Sequence, residues 1–348
     1  MNEAVPSVEV RGHPIERGSS PFIIAEIGVN HDGDVGRAVS LVRAAAEAGA
    51  DAVKFQWFEA DRLVGDADAT ADYQRKAGVS DQKSMLRALE LDADELSACV
   101  EAAHASNIAA IVTVFSTELV PLAASLGWDA WKTASPDLVH RPLLEALATD
   151  GRPMLVSTGA ADLDEVRRAD DWLGRHPVAF LHCVSAYPTP EPQAALSGIE
   201  AIAAATGRPT GYSDHTAAWT TGGLAVAAGA VLLEKHLTWN REAAGPDHGA
   251  SVEPDDLRRY VDFVRRAHAA LGDATKRVGE IEADVRRVAR QSIRAARPLA
   301  AGATIVAEDL VLKRPGDGLE PWRMGEVVGR TLGVDRATDE AIRAEDLA

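Results

Sequence analysis

The chain has 348 residues, of which 46% are hydrophobic and 26% charged, as in ordinary globular proteins. Its 53 acidic and 36 basic side chains give a net charge of −17, whereas proteins that bind nucleic acid or anionic membranes need a basic surface. Two cysteines cannot form a disulfide framework, and neither a signal peptide nor a membrane span is indicated. We therefore expect a soluble cytoplasmic protein that binds neither nucleic acid nor a membrane.

From about residue 20, short β-prone segments alternate with amphipathic helical segments. Strands are predicted at 22–28, 52–58, 108–115, 130–135, 153–159, 177–184, 210–216 and 231–238. Helices are predicted at 34–50, 92–106, 162–174 and 254–272. Eight strands with helical connections in about 250 residues predict a (β/α)8 TIM barrel. The alternative is a doubly wound open sheet, which the strand count and the lack of a GxGxxG turn after the first strand disfavour.

The sequence pattern changes after Gly272. We assign residues 1–272 to an N-terminal extension and the barrel, 273–290 to a polar linker with a short helix, and 291–348 to a small C-terminal domain. The last segment combines short β-prone runs with Pro and Gly turns. A domain of roughly 60 residues buries little apolar surface, so we expect it to dock on another surface.

Polar side chains stand at the C-terminal end of nearly every predicted strand. They are Glu26, Lys54, Gln56, Thr113, Lys132, Ser135, Ser157, His182, Ser185, Ser213, His215, Glu234 and His236. Strand ends of this kind point into the mouth of a TIM barrel, where active sites lie. Since buried polar groups are costly in a packed apolar core, this pattern predicts an active site at that mouth.

Two histidines, His215 and His236, end adjacent predicted strands and would converge at the barrel mouth. Taken singly, each histidine is more consistent with a surface or core residue than with a ligand. As a pair of neutral imidazoles they could bind an exchangeable divalent cation such as Mn²⁺, with Mg²⁺ and Co²⁺ as alternatives. A closed zinc site would need more protein ligands than this pair provides.

Lys54 and Lys132 occupy inward positions of their strands. They could be lysines that extend into solvent, anchors for a phosphate or carboxylate, or a Schiff-base lysine as in class I aldolases. Glu26 could be a metal ligand, a general acid or base, or an ion-pair partner of Lys54. The loop GPDHGAS, residues 245–251, could bind a polyol or simply be exposed, and Arg314 on its own indicates only a surface arginine.

Seven motifs, in this order, strongly resemble the sialic acid synthase family. They are FIIAEIGVNHDGD, AGADAVKFQ, AFLHCVSAYPTP, GYSDHT, LEKHLT, GPDHGAS and KRPGDG. The resemblance implies a (β/α)8 barrel followed by a small antifreeze-like (SAF) domain. It further implies a metal-dependent transferase that condenses phosphoenolpyruvate with the open-chain aldehyde of an N-acylated hexosamine, giving a nine-carbon 2-keto sugar acid and phosphate.

The resemblance also implies a role for particular residues. His215 and His236 would bind the metal, and Glu26 would be the catalytic acid or base. Phosphoenolpyruvate would be held by Lys54, Gln56, Thr113, Lys132, Ser135, Ser157 and Ser213. The acceptor sugar would be bound by Tyr187, Asp247 and Arg314. In this family the arginine comes from the small domain of the partner subunit, so the resemblance implies a domain-swapped homodimer.

The sequence departs from the family pattern at Val114, Thr133 and Pro136, and segment 59–84 on the acceptor side matches only loosely. The acceptor therefore stays open among N-acetylmannosamine, a 2,4-diacetamido-6-deoxyhexose and a less usual sugar. Two other functions also stay open: a Schiff-base pyruvate aldolase that uses Lys54 or Lys132, and a sugar-binding protein without catalytic activity.

Overall fold

The structure is a computed structural model that describes residues 7–65 and 81–348. The chain divides into two compact units, Met1–Asp273 and Ala274–Ala348. The larger unit contains the predicted barrel. The smaller unit contains a two-stranded sheet and its own apolar core.

Eight parallel strands form the closed barrel of the larger unit. Their bounds are β3 Phe22–Gly28, β4 Ala52–Trp57, β5 Ala109–Val114, β6 Ala130–Thr133, β7 Met154–Ser157, β8 Val178–Cys183, β9 Thr210–Asp214 and β10 Leu232–His236. Their order around the barrel is β10-β3-β4-β5-β6-β7-β8-β9. The closing pair joins the first and last of these strands, with Leu232 opposite Phe22 and His236 opposite Glu26. The TIM barrel prediction is therefore confirmed.

Helices surround the barrel and follow its strands. Within residues 7–65 and 81–273, the helices are Val35–Glu47, Ala60–Leu63, Gln82–Arg87, Ala93–Ala105, Val120–Ala124, Arg141–Leu147, Leu163–Leu173, Ser197–Thr206, Thr221–Ala227 and Pro254–Leu271. Several begin at an aspartate whose carboxylate accepts backbone N–H bonds of the first turn, as Asp92 does from Glu95. Capping of this kind fixes where a helix begins after each loop.

Alternation along the strands separates two apolar layers. Ile23 and Ala25 belong to the outer core between strands and helices, whereas Phe22 and Ile24 belong to a cluster inside the barrel. A short hairpin, β1 Glu9–Val10 paired with β2 His13–Pro14, contributes Val10 to the inner cluster. The interior is thus apolar at its N-terminal end, which leaves the other end for polar side chains.

The smaller unit pairs β11 Ser292–Ala295 with β12 Leu310–Lys313 in antiparallel fashion. Its buried core includes Ile293, Leu299 and Leu332. Helix Ala283–Ala289 precedes the sheet within the segment that we assigned to the linker, and helix Met324–Val327 follows it.

Seven of the eight barrel strands are one to three residues shorter than predicted, because the β-prone sequence pattern extends past the residues that pair with neighbouring strands. Ser135 lies in the 3₁₀ turn Ser135–Val139 after β6, and His215 lies one residue beyond β9. Both side chains still face the barrel mouth. Among residues 7–65 and 81–348, no helix is both long and apolar enough to cross a membrane.

Candidate active site

A cavity of about 860 Å³ opens at the C-terminal ends of the barrel strands. It collects every residue of the larger unit to which the resemblance assigns a role. The strand-end residue His182 does not line it, and its Nε2 lies 3.0 Å from the Ala194 carbonyl. Those lining it are Glu26, Lys54, Gln56, Thr113, Lys132, Ser135, Ser157, Tyr187, Ser213, His215, His236 and Asp247. The remaining predicted residue, Arg314, is exposed in the smaller unit, directly after β12.

Four buried charges alternate in sign along the floor of the cavity. Lys54 Nζ lies 2.8 Å from Glu26 Oε2 and 4.0 Å from Glu234 Oε2, and Lys132 Nζ lies 3.7 Å from Glu234 Oε1. All four side chains are nearly inaccessible to solvent. In this row of four charges, Glu26, Lys54, Glu234 and Lys132, the two ammonium groups are therefore neutralised by carboxylates of the protein itself.

The two carboxylates in this row of charges, Glu26 and Glu234, have pKa values shifted in opposite directions. Burial raises the pKa of Glu26 to about 7, against the opposing effect of Lys54. Burial also acts to raise the pKa of Glu234, but the ammonium groups of Lys132 and Lys54 outweigh it and lower that pKa to about 2. Glu26 can therefore exchange a proton near neutral pH, while Glu234 stays ionised.

The lysines are positioned by neighbouring hydroxyl groups. Lys54 Nζ donates to Thr113 Oγ1 at 3.1 Å, and Lys132 Nζ donates to Ser157 Oγ and to the Thr133 carbonyl. Burial lowers the pKa of Lys132, whereas nearby Glu234 and Glu26 overcome burial and raise that of Lys54. Two ammonium groups with adjacent hydroxyls form a suitable binding site for a small phosphorylated acid.

Three further predicted residues complete this floor. Gln56 Nε2 donates to Glu26 Oε1 at 2.8 Å, which leaves the glutamate held from two sides. Ser213 Oγ donates to Glu234 Oε1 at 2.9 Å. Ser135 Oγ accepts from the Gly159 N–H at 3.1 Å and lies 3.1 Å from Cys183 Sγ.

The two histidines meet as predicted, with ring centroids 5.5 Å apart. His215 Nδ1 lies 2.8 Å from the Val184 carbonyl, so it carries the ring proton and leaves Nε2 as an acceptor. The Nδ1 atom of His236 is buried without a hydrogen-bond partner among the described residues. Burial lowers the pKa of both rings, which favours the neutral imidazoles that metals bind.

This pair fits a divalent cation with an open coordination sphere. Within the described residues, no group of three or more His, Cys, Asp or Glu side chains converges as a metal site. Two imidazoles would leave the other positions to water or substrate oxygens, which suits an exchangeable ion rather than a structural one.

Tyr187 and Asp247 border the histidines on the open side of the cavity. The Tyr187 ring lies 4.2 Å from that of His215 between centroids, and Asp247 Oδ2 lies 3.8 Å from His236 Nδ1. Burial raises the pKa of Asp247 to about 6. Both residues are placed to touch a molecule that also contacts the imidazoles.

The loop that carries Asp247 is fastened to the loop after β3. His248 is buried and lies 2.8 Å from Asp32 Oδ1 through Nε2 and 2.6 Å from Thr238 Oγ1 through Nδ1. Trp239 Nε1 donates to the other oxygen of Asp32 at 3.1 Å. The loop 245–251 is therefore held in place over the mouth, in contrast to the exposed loop that was one of our alternatives.

One wall of the cavity is apolar. Met85, Leu86 and Phe115 line it and pack with Val29 against a small buried cluster that contains Phe58. Residues 66–80 of the loosely matching segment 59–84 lie outside the described residues. Among the described lining residues, Lys54 and Lys132 are the only cations apart from histidine.

Sequence reasoning missed Glu234 as a functional residue, although it noted the polar strand end. The residue sits between both lysines and accepts from Ser213. Strand alternation could have identified it, because Glu234 and His236 are two residues apart and so face the same side of β10.

A closed parallel barrel with a polar mouth and a separate small domain defines an enzyme of the (β/α)8 class. Comparison with known families is more specific. The model of the NeuB family matches residues 41–276, and the SAF domain matches residues 290–348. The chain belongs to the NeuB family, and the predicted resemblance to sialic acid synthases is confirmed.

Relatives that match most of the chain support this assignment. The chain is 39% identical to N,N'-diacetyllegionaminic acid synthase of Legionella pneumophila over 92% of its own length and 93% of that protein. It is 34% identical to the enzyme of the same name from Campylobacter jejuni, over 92% and 98%. The structure of an N-acetylneuraminic acid synthetase from Leptospira borgpetersenii superimposes with a TM-score of 0.74 at 30% identity, over 82% and 96%. The expected class, a carbon–carbon bond-forming synthase, is thereby confirmed.

Proposed function

We propose that the protein condenses phosphoenolpyruvate with the open-chain aldehyde of an N-acylated hexosamine, releasing phosphate and forming a nonulosonic acid. One observation carries the proposal: two lysines with hydroxyl partners and a pair of neutral imidazoles line a single cavity. The first group suits an anionic donor and the second a divalent cation. The NeuB family relatives bear names that agree with this chemistry.

The donor is proposed to bind at the cavity floor. Lys54 and Lys132 would pair with its phosphate and carboxylate groups, and the hydroxyls of Thr113, Ser157 and Ser213 would orient their oxygens. Because Glu234 already lies within 4.0 Å of both ammonium groups, it would fix their positions before the donor arrives.

We propose Mn²⁺ as the cofactor, held by His215 and His236, with Mg²⁺ or Co²⁺ as possible substitutes. When bound, such an ion polarises the aldehyde oxygen as a Lewis acid. In the reaction, the methylene carbon of phosphoenolpyruvate bonds to the aldehyde carbon, whose oxygen takes up a proton. Water then adds to C2 of the donor, and cleavage of the C–O bond releases phosphate and leaves the ketone.

Glu26 is the residue proposed to move the proton. Its pKa of about 7 lets it hold a proton for the aldehyde oxygen and accept one from the attacking water near neutral pH. Gln56 and Lys54 hold the carboxylate in one orientation from two sides. This role of Glu26 requires that the donor bind over the same floor.

For the acceptor we propose a sugar whose distal end is uncharged and apolar, namely a 2,4-diacetamido-6-deoxyhexose. The support is the wall formed by Met85, Leu86 and Phe115, which offers a methyl group a place that a phosphate would not find. The naming of the 39% identical relative as a diacetyllegionaminic acid synthase agrees with this choice.

Phosphate release tests the proposal. The full-length protein is incubated with phosphoenolpyruvate, Mn²⁺ and in turn the 2,4-diacetamido-6-deoxyhexose, N-acetylmannosamine and its 6-phosphate. We expect acceptor-dependent phosphate release that EDTA abolishes, fastest with the deoxyhexose. No release with any acylated hexosamine, despite tight sugar binding, would instead support the sugar-binding protein without activity.

The pyruvate aldolase has one observation in its favour, since burial lowers the pKa of Lys132 and would aid a nucleophilic amine. Borohydride reduction in the presence of pyruvate separates the two enzymes. We expect no added mass on Lys54 or Lys132, as judged by mass spectrometry. A covalent pyruvyl adduct together with full activity in EDTA would favour the aldolase.

We further propose a domain-swapped homodimer in which Arg314 of the partner subunit contacts the acyl group of the acceptor. The support is the resemblance to the sialic acid synthase family, together with the exposure of Arg314 and its place directly after β12.

A further inference from the structure

Behind the histidine pair lies a second buried ion pair that the proposed reaction does not use. Asp214 and Lys235 are both fully buried, and Lys235 Nζ lies 3.3 Å from Asp214 Oδ1. Neither residue lines the active-site cavity. A buried charge pair of this kind is not expected for stability alone, since apolar side chains of similar volume often serve as well.

Strand alternation places this pair on the reverse side of the active-site residues. Ser213 and His215 of one strand segment, and Glu234 and His236 of the other, face the cavity. Lys235 faces outward, with Nζ 5.5 Å from the centre of the Tyr260 ring on helix Pro254–Leu271. Each histidine is thus the immediate neighbour of one member of the ion pair.

The pair also stands at the end of the β9–β10 ladder. The register joins Leu233 to Tyr212, Glu234 to Ser213 and Lys235 to Asp214, and no further pair follows. His215 and His236 therefore lie one residue beyond the last paired position. Since His236 is still paired with Glu26 of β3, their separation depends on what holds the chain just past Asp214.

Lys235 and Asp214 hold that part of the chain directly. Lys235 Nζ donates to the Thr216 carbonyl and lies 3.5 Å from the Ala218 carbonyl. Asp214 Oδ1 accepts from the Thr216 N–H at 2.9 Å and from its hydroxyl at 2.7 Å. The segment that follows His215 is thus tied to the residue that precedes His236.

We propose that the Asp214–Lys235 ion pair is a positioning pair that sets the separation of His215 and His236 and thereby the affinity for the divalent cation. The inference rests on the metal role given to these histidines above. The Asp214–Lys235 pair itself contacts neither substrate nor metal. It acts through the backbone that carries His215 and His236.

Direct Mn²⁺ binding to the full-length protein tests this inference, with the free ion measured by electron paramagnetic resonance. Lys235→Met keeps the length of the side chain and removes the charge, and we expect its Kd for Mn²⁺ to rise about tenfold. Asp214→Asn keeps an acceptor for Thr216 but removes the charge opposite Lys235, so we expect a rise of about tenfold here too. At saturating Mn²⁺ both variants should recover most of the wild-type kcat.

The ion pair Arg208–Asp170 provides a matched control, because Arg208 precedes the opposite end of the same strand, with Nε 2.8 Å from Asp170 Oδ1. Arg208→Met should lower the melting temperature and leave the Kd for Mn²⁺ unchanged. A lower melting temperature with an unchanged Kd would distinguish a general loss of stability from a change in the position of the histidines.

The outcomes are distinguishable. Wild-type affinity in folded Lys235→Met, or in Asp214→Asn if the first variant does not fold, would overturn the inference and leave the metal assignment intact. Failure of the wild type to bind Mn²⁺, or unchanged binding in His236→Ala, would overturn the metal assignment and the inference with it.

Discussion

Glu26 and Glu234 share one cavity but hold their protons over very different pH ranges. Glu26 has one lysine within 4 Å, whereas Glu234 lies within 4.0 Å of two, and this difference outweighs the burial that they share. A carboxyl group that titrates near neutral pH next to one that stays ionised is a common arrangement for acid–base catalysis. Glu26 is therefore the carboxyl group that can exchange a proton, and Glu234 is the one that compensates the charge of the two lysines.

The raised pKa of Glu26 predicts how stability depends on pH. The folded-state pKa, about 7, exceeds the ordinary value of 4.5, so the stabilising contribution present below pH 4.5 is lost as pH rises through 7. Glu26→Gln should remove this slope, which amounts to at most about 3 kcal/mol. Urea unfolding at about pH 5 and pH 8 measures it.

The exposed Glu101→Gln provides the control for that measurement and should keep the wild-type pH dependence. If Glu26→Gln loses as much free energy of unfolding between the two pH values as the wild type, the raised pKa is wrong.

The substitution Glu234→Gln tests whether Glu234 keeps Lys132 in its charged form. Burial lowers the pKa of this lysine, and Glu234 opposes that effect. Without the carboxylate the pKa should fall further, so the alkaline limb of kcat/KM for phosphoenolpyruvate should move to lower pH. A pH–rate profile with saturating acceptor measures the shift, and a limb at the wild-type pH would show that Glu234 does not sustain the lysine charge.

Elements of the barrel were predictable because their pattern is local. The helix predicted at 162–174 is observed at Leu163–Leu173, and the strand predicted at 22–28 has those same bounds. The convergence of His215 and His236 followed from strand order alone. By contrast, the pairing of Lys235 with Asp214 depends on the β9–β10 register, which short sequence patterns do not specify.

Site residues were predictable from the sequence where the residue type is costly to bury. They were harder to predict where the role of a residue depends on the side chains that it contacts. Lys54 could have been an anchor, a nucleophile or a surface group, and only its contacts with Glu26 and Thr113 show a neutralised ammonium inside the barrel. The acceptor side was the least predictable. Its apolar wall joins Met85 and Leu86 to Phe115, which lies about 30 residues further along the chain.

The contact between β9 and β10 depends on a glycine. A Cβ atom at Gly211 would lie 2.2 Å from the Leu232 carbonyl oxygen, so Gly211→Ala must force the two strands apart. We expect a loss of about 1–3 kcal/mol of stability, together with weaker Mn²⁺ binding because both histidine-bearing strands shift. Chemical denaturation and Mn²⁺ titration measure the two effects.

Gly249→Ala is the matched control, since nothing lies within 4 Å of a Cβ atom built at that position. It should leave stability close to that of the wild type. Wild-type stability in Gly211→Ala as well would mean that the strands can separate at no cost.

At the scale of the whole molecule, the swapped dimer makes a complementation prediction. Arg314→Ala should raise the acceptor KM more than the phosphoenolpyruvate KM, and His236→Ala should abolish turnover. In a mixed dimer of the two variants, one site would combine an intact barrel with an intact Arg314 from its partner. The two chains are co-expressed with different tags and purified as the mixed species. We expect this species to show the wild-type acceptor KM, with only one of its two sites active.

Mixed dimers of two barrel variants, His215→Ala with His236→Ala, should stay inactive and serve as the control. If the mixed dimer of Arg314→Ala and His236→Ala instead keeps the raised acceptor KM of Arg314→Ala, the arginine acts within its own chain and the swap is wrong.

The alternating charges of the cavity floor have a consequence for the proton balance of the molecule. The protein carries a net charge of −17, and its two site lysines are already neutralised by Glu26 and Glu234, yet the proposed donor is a multiply charged anion. Its arrival would raise the pKa of Glu26 further, so binding at about pH 8 should draw protons from solution. Titration calorimetry in buffers with different ionisation enthalpies would then give buffer-dependent heats, and Glu26→Gln should remove that dependence.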